Sequence, residues 1–429
     1  MTHIHIIGGG LAGLSAAVEL TGRARVTVYE AGPACGGRAR SYLDKALGAR
    51  IDNGNHLLLS ANEGVFRYLG LIGAHDSLVG PGAPVFPWFD LSANLAWTLR
   101  LSKGKAPFWA LPGGARVPGM KFSELRSLFN LLRANDETRV SDCLVPGMLS
   151  ERLLEPFAVS ALNTSCEEGS AKLLANVVRQ SLALGGKACC PWYPREGLSE
   201  SFVDPAVAHI RTMRGEVRNG ARVSALEVGP VGRVTGLRVG DERIALGPED
   251  AVILAVPAPV AQSLAAPHIV GFTAPDQFES IVNVHFCLPQ TLQARGVVGD
   301  TGFVGVVGGI TEWVFIKDRI LSVTVSAANR YNEISNDYLI ETIWREVCQV
   351  VGPVLTAALP EQAPPVRLVR EKRATFAATP EQDRLRPEAA TPLSNLALAG
   401  DWVQTGLPST IEGAIRSGVQ ATRALGLVV

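Results

Sequence analysis

Hydrophobic positions in the first thirty residues fall into three short blocks. His3-Ile4-His5-Ile6-Ile7 is an apolar run of strand length, Ser15 to Leu20 are helix formers, and Arg25-Val26-Thr27-Val28-Tyr29 is a second strand. The turn between the first two is Gly8-Gly9-Gly10-Leu11-Ala12-Gly13, so the order is that of a βαβ nucleotide site. Farther along, Phe122, Leu125, Leu128, Phe129 and Leu132 recur at spacings of three and four, which predicts helices over 122–160. Further helices are expected over 168–184 and near 198–214. Residues 220–227 alternate like a strand, a Gly-rich hairpin follows over 228–247, and the wholly apolar 251–257 reads as a buried parallel strand ending in Pro257. Between 280 and 330 apolar positions alternate again (Val282, Val284, Phe286; Trp313, Phe315; Leu321, Val323, Val325), predicting a second sheet that carries a substrate chamber under a helix at 334–351. Residues 367–376 then lead back to a last apolar strand, Leu396-Ala397-Leu398-Ala399, which ends on Gly400-Asp401.

At 429 residues the chain exceeds one compact core. The pattern predicts two interleaved units, a nucleotide domain assembled from 1–60, 195–270 and 390–429, and a substrate domain from 61–194 and 271–389. Apolar residues make up 47% and charged residues 19%, which excludes disorder. Lys+Arg and Asp+Glu are equal at 40, and no Lys/Arg run exceeds two, so no nucleic-acid partner is expected. Seven cysteines without a C-x-x-C spacing define neither a disulfide framework nor a metal site; the adjacent Cys189 and Cys190 read as a redox dithiol or as buried inert thiols. Because the first strand begins at His3, no leader is expected ahead of it and the protein is expected in the cytoplasm. Residues 251–272 contain no Asp, Glu, Lys or Arg, yet Pro257, Pro259 and Pro267 argue against a spanning helix, so any membrane contact is expected to be peripheral, on the inner face of the cytoplasmic membrane.

The glycines carry the first candidate chemistry. Gly8 suits the tight turn off the strand, Gly10 the close approach of backbone to a pyrophosphate, and Gly13 the packing of helix on strand where the helix dipole faces that anion. Glu30, seventeen positions after Gly13, ends the second strand as an acceptor for ribose hydroxyls. Gly36-Gly37-Arg38 follows. At the other end, the strand closing on Gly400-Asp401 precedes Pro408-Ser409-Thr410-Ile411-Glu412-Gly413-Ala414, a capped helix start that points a second set of amides inward.

This combination resembles the flavin-containing amine oxidase and phytoene desaturase superfamily, which implies FAD and an α/β (mixed α+β) fold: an FAD/NAD(P)-binding Rossmann-like domain with an interleaved substrate domain of mixed sheet and helices. The resemblance implies cofactor contacts from Gly8, Gly10, Leu11, Ala12, Gly13, Glu30, Ala31, Gly37 and Arg38, from Asn53 and Gly54 beside the flavin, from Val223 at the adenine, and from Gly400, Asp401, Ile411, Glu412 and Ala414 along the ribityl chain and flavin. Within the superfamily, Asp52-Asn53-Gly54-Asn55-His56 is similar to the Asp-Asn-Gly-Gln-His stretch of the hydroxysqualene dehydroxylases, with Asn55 in place of Gln; Leu162-Asn163-Thr164 is similar to a second stretch of that group, with Ser165 and Cys166 where prolines are expected. That resemblance implies a hydrophobic isoprenoid substrate, hydroxysqualene, reduced to squalene for hopanoid synthesis, and an electron donor that no motif specifies. Loss of the allylic hydroxyl would be helped by a general acid, and His56 reads either as that acid or as a structural histidine.

Two other readings of the same motifs stand beside this one: a carotenoid or phytoene-type desaturase, and a non-catalytic prenyl-lipid-binding protein of the Rab escort and GDP-dissociation-inhibitor kind. Amine oxidation has no aromatic cage to support it. Between Pro81 and Pro118 lie Phe86, Trp88, Phe89, Trp97, Phe108 and Trp109, interleaved with Arg100, Lys103, Lys105 and Arg116. This segment reads equally as a shallow membrane contact centred on Trp88, Trp97 and Trp109, or as an aromatic core under a loop.

Overall fold

The computed structural model describes residues 2–105, 110–111 and 116–428. Its cofactor-side sheet has five parallel strands in the order Glu216–Asn219, Arg25–Glu30, His3–Ile7, Ala251–Leu254 and Leu396–Leu398. Three separated stretches of chain therefore meet in one sheet. Its central strands are buried on both faces, which is why they read as near-continuous apolar runs. One face, with Ile4, Ile6, Val26, Val28 and Ile253, packs under the fingerprint helix Leu11–Leu20 and the C-terminal helix Ile411–Ala424. The opposite face, with Ile7, Tyr29, Val252 and Leu254, packs toward the helix Ala258–Ala265 and a three-stranded antiparallel sheet over 223–245.

A seven-stranded mixed sheet forms the second body of the fold. Its order is Val366–Phe376, Phe278–Cys287, Ile320–Val325, Trp313–Lys317, Phe303–Val307, Val85–Asp90 and Leu95–Arg100. The helix Asn336–Val351, capped by the Ser335 side chain on the Tyr338 amide, covers one face with Leu339, Ile343, Trp344 and Val347. The alternating strands and their covering helix thus match the sequence pattern. The hairpin 85–100 adds to it, because Val85–Asp90 pairs in parallel with Phe303–Val307.

That pairing corrects the membrane reading of the aromatic segment. Trp88 and Trp97 are cross-strand partners with rings stacked 6.1 Å apart, and both are buried. Phe108 and Trp109 lie outside the described residues. Residues 251–272 divide into a strand, a turn and the helix Ala258–Ala265, and no helix among the described residues is long and apolar enough to cross a membrane. The seven cysteines form no disulfide; burial pushes the Cys189 thiol up to about 12, which keeps it protonated near neutral pH and favours the buried-thiol reading over the dithiol.

Each sheet also buries a histidine. His5 lies 2.9 Å through Nδ1 from the Tyr29 hydroxyl, and His285 lies 2.8 Å through Nδ1 from Ser322 Oγ. Burial pushes both imidazoles down to about 4. The folded rings stay neutral where the unfolded chain, with histidine near 6.5, takes up protons. Stability is therefore complete above about pH 7 and falls as the pH drops toward about 4, by about 2 kcal/mol per histidine between about pH 7 and 5. Unfolding free energies from urea titrations at about pH 7 and 5 are expected to differ by about 2 kcal/mol less in His285→Gln than in wild type; an undiminished acid loss in the variant would contradict it.

Candidate functional site

One cavity of about 900 Å³ runs from the fingerprint turn to the chamber sheet. At its nucleotide end the three glycines divide the work as their positions suggest. Gly8 has φ +108°, and a Cβ there would sit 2.2 Å from the Ala255 carbonyl oxygen; a Cβ on Gly13 would sit 2.0 Å from the Gly8 oxygen. Gly10 is different. Its φ is −74°, and a Cβ would meet no protein atom within 4 Å, because it would project into the cavity. The protein's own packing does not require glycine at position 10, and the absent side chain leaves that space open to a ligand. The helix beginning at Leu11 has no side-chain cap, and Leu11 and Ala12 line the cavity, which leaves its first amides for an anion.

Glu30 is held by two main-chain amides: Gly9 donates to Oε2 at 2.8 Å and Gly32 to Oε1 at 2.6 Å. Each oxygen keeps a second lone pair for a ribose hydroxyl. Ala31 and Val223 line the same end. Gly37, Arg38, Gly400, Asp401, Ile411 and Ala414 line the middle. Arg38 donates from Nη2 to Asp401 Oδ1 at 2.5 Å and from Nη1 to the Ala374 carbonyl oxygen at 2.5 Å. Burial would raise the Asp401 carboxyl, but the Arg38 guanidinium overrides this and holds it below the usual carboxylate range. The Thr410 side chain caps the C-terminal helix through the Gly413 amide at 3.0 Å, as its sequence predicts.

Three of the residues expected at the cofactor, Gly13, Asn53 and Gly54, lie outside the cavity lining. Asn53 is buried behind the wall, its carbonyl accepting from Asn283 Nδ2 at 3.2 Å, while Asn55, His56 and Leu57 reach the cavity instead. Glu412 borders the cavity, but its carboxylate is taken by the Gly64 and Val65 amides at 3.0 and 2.9 Å and by Arg416 at 2.5 Å, leaving its main chain for a cofactor role. His56 makes no hydrogen bond with the described residues; enclosure away from bulk water pushes its imidazole down to about 4. A ring that is neutral near pH 7 is a poor proton donor, so the structure disfavours the general-acid reading.

Beyond His56 the cavity becomes an apolar arm walled by Phe86, Trp88, Leu128, Phe157, Trp313 and Phe315. A row of hydroxyls interrupts it. Ser322, Thr324 and Ser326 follow one face of their strand; Asn55 Nδ2 donates to Ser322 at 2.7 Å and to Thr324 at 3.0 Å, while Thr324 and Ser326 reach the cavity. The shorter amide at position 55 thus still bridges two strand residues. The Leu162-Asn163-Thr164 stretch has a mechanical role here: Asn163, at φ +50°, donates to Thr375 Oγ1 at 2.9 Å and accepts from the Ala327 amide at 2.7 Å, while Thr164 Oγ1 accepts from the Ala378 amide at 2.8 Å. One turn ties three segments together beside the chamber.

Sequence reasoning missed Arg386. Fully buried, it donates to the Val403 carbonyl oxygen at 2.6 Å and to Asp383 at 3.0 Å, and so fixes the turn that follows Asp401. An arginine next to a proline in a loop carries no periodic signal that would have revealed this.

The open space at Gly10, the uncapped helix start, the ribose-facing Glu30 and the continuous cavity fit a flavin dinucleotide. Comparisons with known proteins agree. Residues 11–426 match the family described as flavin containing amine oxidoreductase. Hydroxysqualene dehydroxylase of Rhodopseudomonas palustris is 43% identical over 423 residues, 97% of each chain, and that of Zymomonas mobilis is 43% identical over 424 residues, 98% of each. A 15-cis-phytoene desaturase of Glycine max is 21% identical over 99% of this chain and 79% of its own. Among solved structures, cyclohexylamine oxidase from Brevibacterium oxydans superposes with a TM-score of 0.68 at 16% identity over 99% of this chain and 98% of that one, which reflects a shared fold.

Proposed function

The chain belongs to the flavin-containing amine oxidoreductases, and within them to the hydroxysqualene dehydroxylases, and on that premise we propose that it replaces the allylic hydroxyl of hydroxysqualene by hydrogen, giving squalene. It is an FAD-dependent oxidoreductase. FAD, when bound and reduced, supplies the reducing equivalent. The chain's own residues do the rest of the work. Gly10 and the amides after it would receive the pyrophosphate, Glu30 the ribose, Arg38 and Asp401 the phosphate-to-ribityl span, and the helix start at Ile411 the pyrimidine edge of the flavin.

The observation that carries the substrate reading is that the cavity bordered by the fingerprint glycines continues into an apolar arm containing a few hydroxyls. The arm's apolar walls suit an isoprenoid chain and keep water from a cationic reaction centre. Thr324 and Ser326 offer partners that orient the leaving hydroxyl, while neutral His56 can exchange one hydrogen bond with it without contributing charge. In this reading 1–60, 195–270 and 390–429 form the cofactor domain, 61–194 and 271–389 the chamber, the electron donor is external, and substrate is collected from a membrane.

The test is a pair of anaerobic incubations. Prereduced protein with hydroxysqualene is expected to yield squalene, and oxidised protein with phytoene is expected to yield no desaturated product. Desaturation without dehydroxylation would move the assignment to the carotenoid desaturases; a purified protein without flavin would support the non-catalytic reading.

A further inference from the structure

The apolar residues of the helical segment 122–132 do not share one face. Leu125 and Leu128 pack inward with Trp88 and Trp97, and Leu128 also lines the apolar arm. Phe122 and Phe129 point outward, 68% and 53% exposed. With Arg126 and Arg133 they follow an i, i+4, i+7, i+11 stripe, and the Arg133 guanidinium lies over the Phe129 ring at 3.9 Å.

A second exposed cluster lies beside the same wall. Leu101 and Leu182 line the cavity, while Lys103, Lys105, Leu184 and Lys187, a few residues beyond them, are exposed. The two strips are tied together, with Gly186 N donating to the Ser102 carbonyl at 2.8 Å and Lys187 N to the Lys103 carbonyl at 3.4 Å. Between Arg100 and Arg133 the sequence has seven Lys or Arg and one acid, in a chain whose totals balance at 40 each. The single acid, Glu124, is buried and accepts from the Lys121 and Leu149 amides. Asp136 and Glu137, just beyond, are paired with Lys172 and Arg384. Lys103, Lys105, Lys121, Arg126 and Lys187 enter no ion pair among the described residues.

We propose that this outer face, with Phe122, Phe129 and Leu184 set among unpaired cations, docks on an anionic lipid bilayer. Exposed aromatics among unpaired cations match an interface of acyl chains below and phosphate headgroups above. The wall is one element thick, with Phe129 adjacent in sequence to Leu128 of the arm, so docking brings the arm next to the lipid. The proposal rests on the isoprenoid reading for its purpose, whereas its test needs no substrate.

Flavin-loaded protein is mixed with vesicles of phosphatidylcholine alone, or of phosphatidylcholine with phosphatidylglycerol, and floated. The expected result is binding to the anionic vesicles at low salt, release at high salt, and little binding to neutral ones. Removing one cation, as in Lys103→Ala or Lys187→Ala, is expected to weaken binding about fivefold. Phe122→Ser/Phe129→Ser is expected to weaken it at least about tenfold with flavin content unchanged. Wild-type binding by these variants, or no binding to anionic vesicles, would overturn the proposal. So would a dimer that the phenylalanine variant dissociates without any vesicle binding, since a second copy would then cover the face. Vesicle binding without squalene formation would overturn the substrate reading alone, and turnover in detergent without vesicle binding would overturn the docking surface alone.

Discussion

Gly10→Val is expected to fold as well as the flavin-free wild type and to purify without flavin. A side chain at this position meets no protein atom within 4 Å, and the backbone is already extended at φ −74° and ψ 178°, a conformation β-branched residues favour. The added carbons would enter the space assigned to the pyrophosphate. Overpacking a close contact costs about 1–3 kcal/mol, which lowers cofactor affinity about five- to 150-fold. Flavin absorbance per protein, together with urea midpoints against deflavinated wild type, checks both halves. A yellow variant with full occupancy would remove the fingerprint from the site. A colourless but destabilised one would show that packing, not the cofactor, requires the glycine.

Gly418→Val is expected to do the reverse and destroy the fold. A Cβ there would lie 2.3 Å from the Ala12 carbonyl oxygen and 2.9 Å from the Ala16 amide nitrogen, both main-chain atoms of the fingerprint helix. Neither can rotate away as a side chain would. The two helices, joined by the Ser15 hydroxyl donating to the Ile415 carbonyl at 2.9 Å, would have to separate and open the core that includes Ile4, Leu14 and Ile415. The expected loss is about 3 kcal/mol or more, seen as insoluble protein or a lowered urea midpoint. A midpoint close to wild type would mean that the helices do not pack as described. By the same contact, removing residues 390–429 would strip the C-terminal helix from one face of the sheet and the strand Leu396–Leu398 from its edge.

What the sequence revealed best was local and mechanical. The cap at Thr410 depends on the amide three residues on, and Glu30 accepts from Gly9 and Gly32 within one strand-turn-helix-strand unit, so residue type and spacing specify them. Partners distant in sequence were harder to read. The hairpin 85–100 hid its place in the chamber sheet because its strand Val85–Asp90 is covered on both faces and pairs with residues 305–307, more than two hundred positions on. Phe122 and Phe129 fit the same helical period as Leu125 and Leu128, and periodicity alone does not separate an inward stripe from an outward one when both are apolar. The Glu412 carboxylate was captured by amides nearly 350 residues away, and His56 was depressed by enclosure, which no local pattern reports.

The central claim is that this chain uses reduced flavin to put hydrogen where a hydroxyl was. It is tested most directly by one turnover in D2O, with the protein photoreduced anaerobically so that the flavin's exchangeable hydrogen is deuterium, and then given hydroxysqualene. The expected result is squalene carrying one deuterium, in an amount equal to the flavin reoxidised. Squalene without deuterium, or flavin that stays reduced in the presence of the substrate, would contradict it.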